Sequence, residues 1–514
     1  MAVPAGVDAA PPRLGRRMVV SSMYMIGARF AMRGIGVIST LVLVRILSPT
    51  DFGIVALAQA IYPILDMLTA TGFNLAIIRM RAPQLAHYDT AWTLGVIRGA
   101  FIAACLIATA RWQAEFMHEP RIEPLMWVVA ATAFLNSLQN IRLVDYQRNM
   151  RFDLLTLYML WGKVQVFAIV LLLAIFMQNY WILILGNLFN KFITVPGSYL
   201  VMRHRPRFSL AGWRDLFHFS KWLFLSNVCM VADAQVMNFV VGHYLGMIEV
   251  GLYQVGRQIA ALPITEIAAP IRGPVYSAYS KIYHDLDALR RYAINNLAIQ
   301  ALIILPLTVG VACTAPEVVT IFLGAKWIAV IPLLPILAYY HLFDAIGHYT
   351  HTIMMALNRQ RLYTITYYIS IALRIPLTIW WAMEDGIRGA MLAMLVTSVV
   401  NAVLWNYQLR SLLRLRWRRA LPVLWRPVVA AAVMGIVVFL IAHRLRATPS
   451  EFGVFARFVL DVAVGAVVYP TLLGLFWLLS GGPDDSPEAQ VLRSVRPMIG
   501  RVETMLRLRR RPVL

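Results

Sequence analysis

Long apolar runs alternate with short polar connections along almost the whole chain. A helix needs about 20 apolar residues to cross a bilayer, and many of these runs have that length. The pattern predicts about fourteen membrane-spanning helices. The predicted spans are residues 20–46, 51–78, 88–110, 123–145, 153–177, 180–202, 214–243, 249–275, 291–314, 328–357, 362–383, 387–409, 426–443 and 457–480.

Composition supports the same fold class. Hydrophobic residues make up 60% of the 514 residues and charged residues only 14%. A soluble domain carries about 25% charged residues, because its surface must face water. We therefore expect an all-α polytopic membrane protein without a soluble catalytic domain.

Arginine and lysine are concentrated in alternate connections. Placing the N-terminus in the cytoplasm puts roughly four times as many of them on the cytoplasmic side as outside, as the positive-inside rule requires. The richest internal connection runs from Arg410 to Arg426. Both termini are therefore expected in the cytoplasm. The net charge of +22 then indicates contact with anionic phospholipid at the cytoplasmic face, and no nucleic-acid partner is expected.

Two pairs of short motifs indicate an internal duplication. LSPTDFGI at residues 47–54 resembles LGMIEVGL at 245–252, an offset of 198 residues, and each places an acid two positions before a glycine at a helix start. QRNMRF at 147–152 and LNRQRL at 357–362 form a weaker pair. Equal topology parity predicts a parallel repeat of two six-helix lobes. The expected regions are an N-tail 1–17, an N-lobe 18–205, a C-lobe 206–413, two further helices within 414–480, and a basic amphipathic tail 481–514.

Several basic residues fall inside the predicted spans, where a charge is costly unless it faces a polar interior. A cavity with a cationic lining would attract an anion, and arginine suits phosphate oxygens. Snorkelling to the headgroups and ion pairs between helices are the alternatives. The candidate cavity residues are Arg29, Arg33, Arg98, Lys163, Lys191, Arg257 and Arg374.

Titratable groups in the spans are candidates for ion coupling. In span ten, His341, Asp344, His348 and His351 follow one helix face. A metal site would need further ligands, which the neighbouring sequence does not offer, so a proton-linked or purely structural polar stripe fits better. The candidate coupling residues are Asp66, Asp233, Glu266, Asp344 and His348.

Sequence signatures of catalysis are absent: the chain has no phosphate-binding glycine loop and no nucleophile elbow. We therefore expect neither an enzyme nor a bound cofactor.

At the second span the sequence resembles Wzx-type polysaccharide flippases of the MOP superfamily. The matching segments are LVRILSPTDFGIVALA at 43–58, TGFNLAIIR at 71–79, YQRNMRF at 146–152 and GLYQVGR at 251–257. The resemblance covers the chain to about residue 413. It implies alternating access between two six-helix lobes, commonly driven by cation antiport.

The same resemblance implies the cargo, an oligosaccharide linked to undecaprenyl diphosphate, and suggests a polysaccharide polymerase and co-polymerase as partners in the bacterial inner membrane. Only the N-lobe arginines and Arg257 correspond in kind to basic cavity residues of relatives. Three alternatives stay open. A MATE-like antiporter would have acids dominating its cavity, a membrane polymerase or ligase would have a large external loop, and a lipid II flippase would share the mechanism.

Overall fold

The structure is a computed structural model. It describes residues 12–490 and residue 493, with gaps at 70–72, 81, 150, 212–220, 263, 266–274, 276–277, 280, 283, 358, 415–416, 448–452, 484–485 and 491–492. Every regular element within these residues is helical, which confirms the predicted all-α class.

The chain forms two compact units, Met1–Gly251 and Leu252–Leu514. In the first unit, α5 packs against α6, α1 against α8, and both α6 and α8 against α9. Its described helices are α1 (Pro12–Ile46), α2 (Pro49–Ala58), α3 (Ile61–Leu68), α4 (Phe73–Arg79), α5 (Leu85–Phe116), α6 (Ile122–Ser137), α7 (Val144–Arg148), α8 (Phe152–Phe176), α9 (Trp181–Val201), α10 (Lys221–Tyr244) and the start of α11 (Met247–Ala260).

In the second unit, α12 packs against α14 and α16, α14 against α15, and α16 against α17. A π-helical turn at Val319–Leu323 and a 3-10 helix at Ala325–Val330 precede α14. The described helices of this unit are the rest of α11, α12 (Leu286–Cys313), α13 (Ala315–Val318), α14 (Leu333–Ala356), α15 (Gln360–Leu413), α16 (Trp417–Ala447) and α17 (Val454–Leu479).

Helices occur in all of the predicted spans, although seven in the described residues meet a strict test of length and hydropathy for crossing a membrane. The count of fourteen therefore stays a prediction, as do the predicted lobe boundaries. Spans eleven and twelve join into α15, but Asp385 and Gly386 have non-helical backbone angles there. Gly386 has a φ of 60°, which glycine adopts without strain, so the predicted interruption is present as a kink.

At the start of α2, the acid of the first copy of the duplicated motif closes a capping box. Ser48 caps the helix, and Asp51 accepts hydrogen bonds from the Ser48 backbone N–H at 2.8 Å and hydroxyl at 2.6 Å. This capping box satisfies backbone groups that the first helical turn leaves unpaired. The acid therefore fixes where the helix begins.

The glycines of the motif allow a close helix crossing within the first unit. A Cβ atom on Gly53 would overlap the carbonyl oxygen of Met247, and one on Gly251 would overlap the carbonyl oxygen of Pro49. Pro49 and Met247, like Gly53 and Gly251, are separated by the 198-residue offset of the duplicated motifs. The two copies of the motif thus pack against each other reciprocally.

Arg426 is a correction to the loop assignment. It lies within α16, only 3% of its side chain is exposed, and its guanidinium is 3.4 Å from the carboxylate of Glu488, which is 6% exposed. A buried charge of this kind needs a partner, and the sequence-distant Glu488 supplies it. The beginning of the predicted C-terminal tail is therefore packed against the helices, whereas residues 494–514 lie outside the described part.

Candidate functional site

Two predicted spans are interrupted, and one cavity in the first unit is lined by helices of span two and by the interruption of span four. Span two is divided into α2, α3 and α4, and span four is divided between α6 and α7 by a stretch that includes Gln139 and Asn140. The cavity has a volume of about 380 Å³. Irregular backbone at membrane depth is tolerated where it lines such a cavity, because its polar groups find partners there.

One predicted cavity cation, Arg98, lies in this cavity together with the predicted coupling acid Asp66. The two side chains form a short ion pair, and Arg98 Nε also donates to the Thr69 hydroxyl at 3.0 Å. The charge of Arg98 is therefore balanced within the cavity. Sequence reasoning placed both residues in polar surroundings but could not pair them.

Two separate sets of hydrogen bonds border the same cavity. The Lys191 ammonium donates to Asn136 Oδ1 at 2.7 Å. Gln139 Nε2 donates to the Tyr158 hydroxyl at 2.8 Å, which donates in turn to the Thr194 carbonyl at 2.9 Å. A predicted cation thus stands beside the cavity without lining it.

The remaining predicted cations of the first unit lie on α1 and α8, which pack together. Arg33 is half-buried and Lys163 is exposed. A Cβ atom on Gly36 would lie 3.7 Å from Lys163 Cε, so this lysine runs alongside α1 close to the turn that carries Arg33. Arg29 lies one turn earlier on α1, and its side chain is outside the described part of the structure.

In the second unit, both predicted cations interact with Tyr340. The Arg374 guanidinium lies 5.7 Å from the centre of the Tyr340 ring, and Arg257 lies 5.6 Å from that of Tyr253. Tyr340 and Asp344 are close enough to Arg257 to interact with it electrostatically. Arg374 is 3% exposed, and its Nε donates to the Thr397 hydroxyl at 3.1 Å. We call this set of Tyr253, Arg257, Tyr340, Asp344 and Arg374 the Tyr340 cluster.

The predicted coupling residues do not form one group. Asp66 belongs to the cavity of the first unit and Asp344 to the Tyr340 cluster, while Asp233 is buried on α10. Glu266 lies outside the described residues, and of His348 only its place on α14 is described. Within the described ranges, no three His, Cys, Asp or Glu side chains are arranged to hold a metal ion.

Sequence reasoning missed the neutral members of both sites. Tyr62, Asn74, Gln147 and Tyr158 line the cavity, and Tyr253 and Tyr340 contact the arginines of the cluster. Tyrosine and amide side chains do not interrupt an apolar pattern as a charge does. The one available signal was the group of amides in span four, of which Asn136, Gln139 and Asn140 prove to line the cavity.

A multi-pass helical fold with charged and polar groups inside its units is typical of membrane transport proteins. The chain belongs to the family of polysaccharide biosynthesis proteins, whose sequence profile matches residues 42–332. This membership confirms the resemblance to polysaccharide flippases that the motifs indicated.

Curated relatives extend the similarity over most of the chain. The succinoglycan biosynthesis transport protein ExoT of Rhizobium meliloti (strain 1021) is 21% identical over 446 residues, which are 86% of this chain and 89% of the relative. The lipopolysaccharide biosynthesis protein WzxC of Escherichia coli (strain K12) is 22% identical over 417 residues, 79% of this chain and 85% of the relative.

Solved structures show the same fold. The lipid II flippase MurJ in an inward closed conformation has a TM-score of 0.69 at 15% identity, covering 89% of this chain and 99% of that chain. An inward-facing multidrug transporter of the MATE family, from the MOP superfamily, has a TM-score of 0.58 at 17% identity. The match covers 74% of this chain and 94% of that chain. These likenesses establish the fold and carry no statement about substrate.

Proposed function

We propose that this protein is a flippase that moves oligosaccharide repeat units linked to undecaprenyl diphosphate from the cytoplasmic to the periplasmic leaflet. It does so by alternating access and supplies the synthesis of exopolysaccharide, capsule or O-antigen. The observation that carries the proposal is the Tyr340 cluster, which holds two arginines and one acid inside a membrane-embedded unit.

The chemistry of this cluster suits a diphosphate. An arginine guanidinium presents donors in a planar fork that matches phosphate oxygens, and a low-dielectric surrounding strengthens the attraction. Tyr340 contacts the Arg374 guanidinium through its ring, which holds that side chain in place. Arg33, Lys163 and Lys191 are further candidate cations for the cargo, and all three lie in the first unit. Membership of a family named for polysaccharide biosynthesis supports a saccharide as the other part of the cargo.

The balance of charges favours this cargo over that of a cation exporter, because acids would dominate a site that binds cations. A polymerase or ligase has less support, since the relative ExoT, similar over 86% of this chain, is named as a transport protein. We place the protein in the bacterial inner membrane with both termini in the cytoplasm. Anionic phospholipid, a polymerase and a co-polymerase are its proposed partners.

Reconstitution tests the proposal. Cells of the source strain that lack the gene are expected to accumulate the lipid-linked repeat unit, which can be extracted and placed in proteoliposomes with the purified protein. We expect all of this lipid to become accessible to a membrane-impermeant periodate reagent, whereas vesicles without protein expose only the outer-leaflet share. Phosphatidylglycerol in the same vesicles serves as the control lipid, since the protein should not change the fraction of it that periodate can reach. Equal accessibility with and without the protein would contradict flipping.

Coupling to protons is a separate expectation. A subset of Asp66, Asp233, Glu266, Asp344 and His348 is proposed to bind the driving ion. In the same vesicles, an imposed pH gradient should raise the initial rate of flipping. Asp344→Asn should remove that dependence, because the amide cannot take up and release the proton that the carboxylate would carry. Asp385→Asn, on the kink of α15, is the control variant. A rate that ignores the gradient in the unmodified protein would exclude proton coupling.

A further inference from the structure

The cavity of the first unit differs in chemistry from the basic groups around it. Asp66 and Arg98 are the two charged residues that line it, and they form an ion pair. The rest of its polar lining consists of amides, a serine hydroxyl and two tyrosine hydroxyls. A neutral lining of this kind offers an anion much less attraction than the Tyr340 cluster does, but it is rich in hydrogen-bonding groups.

Several of these groups have hydrogen-bonding capacity to spare. Among the described residues, the Tyr62 hydroxyl and the side-chain amides of Asn74 and Gln147 make no hydrogen bond, although all three line the cavity. Gln139 donates to Tyr158, which leaves its carbonyl oxygen available. Each amide combines donors with an acceptor, and a hydroxyl is both. Such a set matches ligands that carry many hydroxyl groups.

The backbone around the cavity is built in an unusual way. In span two, α3 ends at Leu68 and α4 contributes Asn74, and span four breaks after α6, where Gln139 and Asn140 follow. In membrane transporters, discontinuous helices are the elements that form substrate sites near the middle of the bilayer. The volume of about 380 Å³ lies toward the lower end for small-molecule sites, which span about 300–1,000 Å³.

We propose that this cavity is a saccharide subsite, in which a neutral sugar of the cargo is held by the amides and tyrosines of α3, α4, α7 and α8. The inference rests on the proposed function and adds to it a division of the cargo: basic side chains hold the diphosphate, and the neutral cavity holds the sugar. Lys191 is bonded to Asn136 at the border of the cavity, and Arg98, which lines it, is paired with Asp66. Tyr62 and Tyr158 offer ring faces as well as hydroxyls.

The subsite can be tested without disturbing the fold. Tyr62→Phe removes one hydroxyl, and Gln147→Ala removes one amide, and neither group makes a hydrogen bond within the described residues that would be lost. The control is the double variant Asn187→Ala, Tyr244→Phe. Both of its residues are exposed in the same unit and outside the cavity, and within the described part of the chain the Asn187 amide bonds to its own helix, at the Leu183 carbonyl.

The measurement is the dissociation constant of two lipids, determined by native mass spectrometry of the purified full chain. One lipid is the repeat-unit lipid extracted from cells that lack the gene, and the other is undecaprenyl diphosphate. The unmodified protein should bind the repeat-unit lipid more tightly. The double variant Tyr62→Phe, Gln147→Ala should weaken that binding about tenfold or more, since two hydrogen bonds from the protein to the sugar are lost. Its affinity for undecaprenyl diphosphate should not change.

The outcomes separate the two proposals. If the variant retains the full preference for the repeat-unit lipid, the subsite is wrong while the flippase proposal stands. If the unmodified protein binds neither lipid, the flippase proposal fails and the subsite fails with it. A third arm uses the oligosaccharide released from the same lipid by mild acid. Binding of this free sugar as tightly as the intact lipid would overturn the division of the cargo, because the diphosphate would then contribute nothing.

Discussion

Replacing Arg257 by alanine is expected to lower polymer export about 10- to 100-fold, because a hydrogen bond to a charged group contributes about 1.5–3 kcal/mol and each 1.4 kcal/mol is about tenfold. The guanidinium lies over the Tyr253 ring and interacts with Tyr340 and Asp344. Its removal leaves Asp344 with less positive charge nearby, so the cluster loses its attraction for a diphosphate. Arg33→Ala in the other unit should act in the same direction.

The measurement is surface polymer in a strain that lacks its own copy of the gene, normalised to the amount of protein in the membrane. Arg257→Lys retains the charge without the planar fork and should restore part of the export. Arg388→Ala serves as the matched control, since Arg388 is exposed in the same unit. Full export by both Arg257→Ala and Arg33→Ala, at normal protein levels, would refute a role for cationic side chains in binding the cargo.

The second large effect is expected at the reciprocal glycine crossing, where Gly53→Ala should lower thermal stability markedly. The added methyl group would overlap the Met247 carbonyl oxygen, which is backbone and cannot rotate away. Overpacking of this kind costs about 1–3 kcal/mol, or more when main chain must move. Gly251→Ala places a methyl group on the Pro49 carbonyl oxygen and should have a similar effect.

The melting temperature of the detergent-solubilised protein, followed by size-exclusion chromatography after heating, measures both changes. In the double variant, the melting temperature should fall by less than the sum of the two single decreases, because one separation of the two backbones relieves both overlaps. Gly34→Ala is the control, since an added Cβ atom there has no neighbour within 4 Å. Unchanged melting temperatures in both single variants would show that the two motifs do not pack as closely as the structure has them.

Hydropathy predicted the helices well because the bilayer imposes one length on every span. Hydropathy by itself gave spans two and four as single helices, since each contains enough apolar residues, although the structure interrupts both. It also placed Arg426 in a connection, although this residue is buried with Glu488. A buried pair between residues 62 positions apart leaves no local pattern to recognise.

The residues of the candidate sites were likewise predicted from the sequence only in part. The sequence singled out Arg257, Arg374 and Asp344, because a charge within an apolar run is conspicuous, and these three gather around Tyr340. It also singled out Arg98 and Asp66 but could not show that they pair. The neutral side chains of Tyr62, Asn74 and Gln147 left no comparable signal.

The sequence by itself determined the membrane class, the periodic spans, the duplicated motif and the family, because each depends on local composition or on short segments. The tertiary structure decided which charges are balanced and where a neutral cavity opens. Charge balance depends on distances between residues far apart in the chain, and a cavity depends on where helices break and how closely their backbones approach. The reciprocal contacts of Gly53 and Gly251 turn a repeat visible in the sequence into a packing constraint that only the folded chain imposes.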